Sequence, residues 1–187
     1  MVLVLGIIGR IGAGKDVATQ YLVEKYGFKE IHMGNLVREE LKELGIAESR
    51  ENLQKYSRER TEQFGKDYWA KKVVQKIKEL SKAGESKFVI NGIRRLEEVE
   101  LPKKEFREEF KLLLIEASPE IRFARLQERK RPGDPTNFEA FLAQEQAELK
   151  LYDFEKIESF ADFRIKNEQD INYLYFELDK LVKNLGP

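Results

Sequence analysis

Five short apolar runs, separated by longer segments of helical periodicity, divide the chain. They fall at residues 1–8, 29–32, 87–91, 110–115 and 162–166, and the second of them is weak. Apolar runs of this length are typical of strands that are buried on both faces of a parallel sheet. Because the strands alternate with helices, the pattern predicts a three-layer α/β/α fold around a five-stranded, mainly parallel sheet.

The longest helical segment, residues 35–86, lies between the second and third strands. It is highly charged and predicts two or three helices, one of them capped by Ser49. A second excursion centres on residues 131–137, where two prolines and a glycine form a turn between two helical patterns. No repeat or linker interrupts the chain, and we predict a single domain over residues 1–187.

Composition and charge narrow the classes of partner. The 34 lysines and arginines balance 34 aspartates and glutamates, so no net charge attracts the chain to nucleic acid or to an anionic membrane. The absence of cysteine excludes disulfides and cysteine-ligated metal. The apolar N-terminal run, about eight residues long, is too short for a signal peptide or a membrane span. We expect a cytoplasmic enzyme, either a monomer or a homodimer, that binds neither nucleic acid nor membrane.

The first strand leads into a glycine-rich loop with the spacing G-x-x-x-x-G-K, which ends at Lys15. Its glycines allow consecutive backbone N–H groups to face one phosphate chain. The following helix adds the positive end of its dipole, and Lys15 adds a full charge. The predicted phosphate-binding residues are Gly9, Arg10, Ile11, Gly12, Ala13, Gly14, Lys15, Asp16 and Val17.

Arginines gather where the predicted strands end, which is where the active sites of such sheets lie. Arg38 follows the second strand by one helical turn, and Arg94 directly follows the third. After the fourth strand, Arg122, Arg125 and Arg129 are three and four residues apart and therefore share one helix face. Positive groups around a phosphate loop suit phosphoryl transfer, which depends on positioning and on neutralising the charge of the moving group.

With these motifs in this order, nearly the whole chain resembles P-loop nucleoside-monophosphate kinases, in particular dephospho-coenzyme A kinase-like and archaeal adenylate-kinase-like proteins. Leu5-Gly-Ile-Ile-Gly-Arg-Ile-Gly-Ala-Gly-Lys15 resembles the opening of dephospho-coenzyme A kinases. Met33-Gly-Asn-Leu-Val-Arg38 and Ile90-Asn-Gly-Ile-Arg94 resemble the acceptor-binding segments of adenylate kinases. Ser118-Pro-Glu-Ile-Arg122 resembles the start of their lid, and Ala161-Asp-Phe-Arg-Ile-Lys-Asn167 their last strand.

The resemblance implies the nature of the substrates. Residues 9–16 would hold the phosphates of ATP with Mg²⁺, and Asn167 would lie near the nucleotide base. Residues 35–86 would form a mobile acceptor-binding arm, in which Arg38, together with Arg94 after the third strand, binds the acceptor phosphate. The partners would be ATP and a small phosphorylated nucleoside.

The resemblance also implies a short lid over residues 122–146. Arg122, Arg125 and Arg129 would close with it on the transferring phosphoryl group and exclude water, because a kinase open to solvent would hydrolyse ATP. Gln144-Glu145-Gln146 stands where relatives carry an Arg-Asp-x-Arg pattern, which leaves this chain fewer cationic contacts from the lid.

Two positions at the expected Mg²⁺ site depart from the family pattern. Asp16 replaces the hydroxyl residue that follows the loop lysine and ligates Mg²⁺, and Asn91 replaces the acidic residue of the third strand. Together the two changes keep one carboxylate near the metal. We therefore predict that Asp16 and Asn91 form the Mg²⁺ site and that Asp16 binds the ion directly or through water.

Three functions remain open at this point. A monophosphate acceptor has an ionised oxygen and needs no general base, which suits a chain with Gly34-Asn35 where dephospho-coenzyme A kinases carry an aspartate. A dephospho-coenzyme A kinase would phosphorylate a ribose hydroxyl, with Asp16, Glu39 or Glu40 as the base. A nucleotide-binding switch with little or no kinase activity would also fit Asn91.

Three other residues invite a catalytic interpretation but favour a structural one. His32, the only histidine, lies at a strand end, where we expect a packed or hydrogen-bonded side chain. Tyr68 and Trp69 begin a helix within residues 35–86, and we expect them to pack between helices rather than to stack on a substrate base.

Overall fold

The computed structural model describes residues 2–131, 133–152 and 154–186. Met1 and Pro187 of the predicted domain, and Pro132 of the predicted turn, lie outside these ranges. The strands are β1 (Leu3–Ile8), β2 (Lys29–His32), β3 (Lys87–Asn91), β4 (Phe110–Glu116) and β5 (Phe163–Lys166). The helices are α1 (Lys15–Tyr26), α2 (Met33–Glu43), α3 (Arg50–Phe64), α4 (Tyr68–Lys82), α5 (Glu97–Phe106), α6 (Pro119–Arg129), α7 (Phe138–Leu151), α8 (Phe154–Glu158) and α9 (Ile171–Leu185).

The five strands form one sheet in the order β2-β3-β1-β4-β5, and all four neighbouring pairs are parallel. β1 is central, with Ile7 paired to Asn91 of β3 and to Leu113 of β4. Parallel pairing brings the carboxyl ends of all the strands to one edge. The predicted three-layer fold and its five strands are confirmed, and the described sheet is parallel throughout.

Two apolar cores cover the faces of this sheet. On one face, α2, α4 and α5 bury Leu41, Ile77 and Val99. On the other face, α1 and α9 bury Leu22 and Leu178. Because both faces are covered, the strands need apolar residues at nearly every position, which is the origin of the unbroken runs in the sequence.

Residues 35–86 hold α3, α4 and most of α2, so the larger predicted number of helices is correct. Ser49 caps α3 as predicted, its Oγ accepting from the Asn52 N–H at 3.0 Å. The three helices meet at the Glu40 carboxylate of α2, which accepts from the Tyr56 hydroxyl of α3 at 3.0 Å and from the Tyr68 hydroxyl of α4 at 2.8 Å. The three helices are therefore tied into one packed unit beside the sheet.

Residues 122–146, the predicted lid, divide into two packed helix ends and an intervening loop. Arg122 in α6 and Phe141 in α7 are buried, whereas most described residues of the loop 130–137 are exposed. We therefore restrict the term lid loop to residues 130–137. Among the helices within the described ranges, none is both long enough and apolar enough to span a membrane.

Candidate active site

The phosphate loop lies between the end of β1 and the start of α1, at the carboxyl edge of the sheet. Gly12 and Gly14 have φ values of 79° and 107°, in the left-handed region that side chains rarely adopt. Neighbouring atoms also leave no room for a side chain: a Cβ would lie 2.7 Å from the Arg122 carbonyl oxygen at Gly12 and 2.5 Å from Asn167 Nδ2 at Gly14. The glycines therefore allow both the turn of the loop and its close packing on α6 and β5.

Asn167, just after β5, binds the backbone of the phosphate loop. Its buried Nδ2 donates to the Ala13 carbonyl oxygen at 2.8 Å, while its own carbonyl oxygen accepts from Arg125 Nη2 at 2.9 Å. The position near the nucleotide base stays a prediction for Asn167. The Asn167 side chain contacts the loop and Arg125, and Arg125 also donates to the Gln169 carbonyl oxygen at 3.3 Å.

Arg122 is also committed to the loop. Its side chain is 2% exposed, forms an ion pair with Glu145 of α7 at 2.6 Å, and donates to the Ile11 carbonyl oxygen at 3.3 Å. Arg10, within the loop, lies 3.7 Å from Glu145 and 3.6 Å from Glu158. Glu145 thus neutralises two arginines at the loop, a role that the sequence did not reveal.

Arg129, the third arginine of α6, is held by the lid loop itself. Its Nε and Nη2 donate to the two carboxylate oxygens of Asp134 at 2.8 and 2.7 Å. None of the three α6 arginines lines the cleft that holds Lys15, Arg38 and Arg94, and their closure on the transferring group stays a prediction. Their shared face is instead occupied by α7, β5 and the lid loop.

Lys15, at the first position of α1, folds back over the loop. Its Nζ donates to the carbonyl oxygens of Gly9 at 2.6 Å and Arg10 at 3.2 Å. The pKa of Lys15 is lowered to about 8, mainly by burial and in part by the nearby Arg94, while Asp16 opposes the shift. An anion placed in the loop would favour the charged form of this lysine.

Asp16 and Asn91 lie side by side, as predicted from the exchange of residue types between loop and strand. Asn91 Nδ2 donates to Asp16 Oδ1 at 3.3 Å and to Glu30 Oε1 at 3.2 Å. Partial burial opposes ionisation of Asp16, but hydrogen bonds from Asn91 and Arg131 outweigh it, so its pKa is below the usual range. Asp16 is therefore an ionised carboxylate at neutral pH.

This donor set fits Mg²⁺ bound together with a substrate rather than in a cage of protein ligands. The described residues contain no group of three or more histidines, aspartates or glutamates arranged to hold a metal. Mg²⁺ is commonly held by one or two carboxylates while phosphates and water supply the other ligands. Asp16 supplies such a carboxylate beside the phosphate loop.

A cleft of about 680 Å³ lies between the phosphate loop and the helices of residues 35–86, which we call the helical arm. Lys15, Asp16 and Asn91 line its loop side, and Arg38 and Arg94 line its arm side. The structure therefore brings together the residues predicted for the two substrates. Val17, in contrast, lies on the exposed side of α1 and Ala13 is buried, so neither side chain reaches the cleft.

His32 lies in the cleft at the end of β2 and caps α2, its Nδ1 accepting from the Gly34 N–H at 3.0 Å. Burial lowers the pKa of His32, so the imidazole is neutral near pH 7. In a neutral ring whose Nδ1 accepts, the proton is on Nε2. His32 therefore offers the cleft a hydrogen-bond donor and not a general base.

Trp69 and Tyr68 pack within the helical arm as expected. Trp69 is 3% exposed and meets Tyr68 edge to face at 4.9 Å between ring centroids. Trp69 also contributes to the wall of the cleft. Stacking on a substrate base is not needed to explain either ring.

Glu98 of α5 fixes the segment that carries Arg94. Its buried carboxylate accepts from the Arg94 N–H at 2.7 Å and from the Arg95 N–H at 3.1 Å. Burial raises the pKa of Glu98 despite these donors. The sequence did not predict this role of Glu98. It stands four residues after Arg94 at the acidic start of a helix, and that position does not by itself indicate burial.

We predict that Glu98→Ala lowers the free energy of unfolding by about 2 kcal/mol, since two backbone donors lose their acceptor. Glu98→Gln keeps an acceptor oxygen and should cost clearly less. Because the folded-state pKa is raised, the wild type should lose stability as pH rises from the ordinary glutamate pKa towards the raised value, and the Gln variant should lack this slope. Urea unfolding across pH measures both effects. A Glu98→Ala variant as stable as the wild type would contradict the stabilising role of Glu98.

Two further cleft residues lie on α7 and after it. Glu148 is exposed in the cleft and close enough to Lys15 to raise its pKa. The Tyr152 ring lies 6.0 Å from the Arg94 guanidinium and 5.8 Å from that of Arg95. Neither was predicted, because their place beside the loop depends on how α7 packs across α6.

Comparisons with known proteins agree with this architecture. A family model described as an AAA domain matches residues 8–141. A UPF0200 protein of Thermococcus sibiricus is 30% identical over 185 residues, which cover 98% of this chain and 96% of the relative.

Two solved kinase structures share the fold. Shikimate kinase from Acinetobacter baumannii, in complex with shikimate, matches with a TM-score of 0.57 at 15% identity and covers 100% of this chain and 96% of its own. Dephospho-CoA kinase from Campylobacter jejuni matches with a TM-score of 0.57 at 18% identity, and the match covers 99% of this chain and 98% of that kinase. The predicted resemblance to P-loop kinases is thereby confirmed at the level of the fold. By its family and its relatives, the chain belongs to the AAA-domain family and to the UPF0200 proteins.

Proposed function

We propose that this protein transfers the γ-phosphoryl group of ATP to a nucleoside or deoxynucleoside monophosphate, with Mg²⁺. The observation that carries the proposal is that Lys15 of the phosphate loop lines the same cleft as Arg38 and Arg94. Positive charge at both ends of one cleft suits two phosphorylated substrates that meet head to head. Phosphoryl transfer depends mainly on such positioning and neutralisation.

The reaction breaks the bond between the γ-phosphorus and the bridging oxygen of ATP and forms a bond to an acceptor phosphate oxygen. Lys15 and the loop N–H groups would neutralise the charge on the transferring group, and Arg38 and Arg94 would orient the acceptor. Asp16, next to Asn91, would hold Mg²⁺ directly or through water. When bound, Mg²⁺ neutralises the phosphate oxygens on which charge develops.

Two of the three residues predicted as candidate bases lie away from the cleft. Glu39 lies 3.4 Å from Lys76, and Glu40 is held by Lys72 at 2.9 Å in the helical arm; neither lines the cleft. His32 offers a donor, as described above. A monophosphate oxygen needs no proton removed, so these arrangements do not hinder transfer to it.

One observation supports a second candidate, a kinase of a hydroxyl group such as the ribose hydroxyl of dephospho-coenzyme A. Glu148 places an exposed carboxylate in the same cleft, near Lys15, where it could accept a hydroxyl proton. Two proteins of the same fold are named kinases of shikimate and of dephospho-CoA. The choice between the two candidates therefore depends on the acceptor.

A panel of acceptors separates the candidates. The protein is incubated with ATP and Mg²⁺ and with each ribo- or deoxynucleoside monophosphate or dephospho-coenzyme A in turn, and products are identified by mass. A new nucleoside diphosphate supports the proposal, whereas a product only from dephospho-coenzyme A supports the second candidate. Tight ATP binding without any product would favour a nucleotide-binding switch and contradict both kinases.

Binding of ATP should also take up protons above pH 8. Lys15 has a pKa of about 8, so most of it is neutral at pH 8.5, and bound phosphates raise that pKa. We expect an uptake of roughly half a proton per ATP at pH 8.5, measured by calorimetry in buffers of different ionisation enthalpy. The control is Lys15→Arg, which stays charged and should show no uptake. Equal values for the two proteins would contradict the role of Lys15.

A further inference from the structure

Arg131 in the lid loop contacts the predicted metal ligand. Its Nη1 donates to Asp16 Oδ2 at 3.1 Å, across 115 residues of sequence. The other carboxylate oxygen, Oδ1, accepts from Asn91 Nδ2 at 3.3 Å. Both oxygens of Asp16 are thus occupied by protein donors, and one of these donors is a full positive charge.

The lid loop presents Arg131 through a second set of contacts. The Asp134 carboxylate, held by Nε and Nη2 of Arg129, also accepts from the Arg131 N–H at 3.1 Å. The Asp134 N–H donates to the Arg131 carbonyl oxygen at 3.0 Å. These bonds fold the loop around Asp134 and leave the Arg131 side chain directed towards Asp16.

We propose that Arg131 and a divalent metal ion compete for the Asp16 carboxylate, so that metal binding releases the lid loop from the phosphate loop. A metal ion that takes Oδ2 removes the acceptor of Arg131, and two positive charges at one carboxylate repel each other. The proposal rests on the assignment of Asp16 to the metal made in the proposed function. Arg131 is a positioning residue in this account, because it acts through Asp16.

The competition has a modest expected size. Both side chains are more than half exposed, with 60% of Arg131 and 54% of Asp16 accessible. Exposed ion pairs contribute little to stability, typically below 1 kcal/mol. Removing Arg131 should therefore tighten metal binding by only about two- to fivefold.

The first test measures Mn²⁺ binding to the full chain without nucleotide, by electron paramagnetic resonance of the free ion. Arg131→Gln should bind Mn²⁺ about two- to fivefold more tightly than the wild type. Lys130→Gln is the matched control, since it removes a positive charge one residue away but leaves the bond to Asp16. If Lys130→Gln tightened Mn²⁺ binding as much as Arg131→Gln does, the effect would come from the overall charge of the loop, and the proposal would be overturned. So would an unchanged affinity in Arg131→Gln, or no Mn²⁺ binding to the wild type at millimolar concentrations.

The second test measures release of the loop by amide hydrogen exchange across residues 130–137. Mg²⁺ should speed exchange in the wild type and in Lys130→Gln, while Arg131→Gln should exchange fast already and respond little. A wild-type loop that does not respond to Mg²⁺ would overturn the proposal. Neither test involves phosphoryl transfer, so their failure is distinct from a failure of the acceptor panel, and either result can occur without the other.

Discussion

Lys15→Met is expected to lower the rate of phosphoryl transfer by at least about 10²- to 10³-fold. Lys15 ends the phosphate loop and lines the cleft, and the proposed function places its charge beside the transferring group. Arg10, the arginine of the loop itself, is already paired with Glu145 and Glu158 and is therefore not expected to replace that charge. Single-turnover rates with saturating ATP measure the loss directly.

The same substitution should not weaken the fold. Because the folded-state pKa of Lys15, about 8, lies below its ordinary value of 10.5, the burial of its charge costs stability below pH 8. That cost falls as pH rises from 8 to 10.5, so Lys15→Met should be at least as stable as the wild type at pH 7, with the difference shrinking towards pH 10. Lys15→Arg is the control that keeps the charge. An active Met variant, or an inactive one that has also unfolded, would contradict this account.

We expect the second large effect on phosphoryl transfer from substitutions that remove the predicted metal-binding carboxylate from the phosphate loop or add one to β3. Asp16→Ser leaves no carboxylate at the loop, and we expect transfer to fall about 10²-fold with a higher requirement for Mg²⁺. Asn91→Asp adds a carboxylate beside Asp16 and Glu30, and like charges at this distance should weaken the fold unless Mg²⁺ is present.

The double variant Asp16→Ser with Asn91→Asp should recover much of the lost activity. It restores a hydroxyl on the loop and a carboxylate on the strand, which is the arrangement that the P-loop motif ordinarily has. The measurement is a double-mutant cycle of kcat/KM against Mg²⁺ concentration, which isolates the coupling between the two positions. If the losses of the single variants simply add, the two residues do not share one metal.

The strands and the phosphate loop were predictable because each depends on local signals. The apolar runs reflect strands covered on both faces, and the spacing from Gly9 to Lys15 is set by the geometry of a single turn. Arg38 and Arg94 were predicted to approach each other because parallel strands end at one edge of the sheet. Parallel strands meet at that edge whatever their order in the sheet.

The contacts of the α6 arginines could not be predicted from local sequence patterns. Their common helix face follows from their spacing, but what covers that face depends on the packing of other elements. Arg122 meets Glu145 of α7, Arg125 meets Asn167 after β5, and none of these pairings is marked in the sequence. The contact between Arg131 and Asp16 joins residues that are 115 apart in the chain, and no local pattern in the sequence indicates it.

Transfer of a labelled γ-phosphoryl group tests the central claim most directly. The wild type and Lys15→Met are mixed with [γ-³²P]ATP, Mg²⁺ and the acceptor chosen from the panel, and the labelled species are separated after a single turnover. The account predicts that the label moves from ATP to the β-phosphate of a nucleoside diphosphate in the wild type only. Label that stays in ATP, or that appears only as inorganic phosphate with every acceptor, would contradict it.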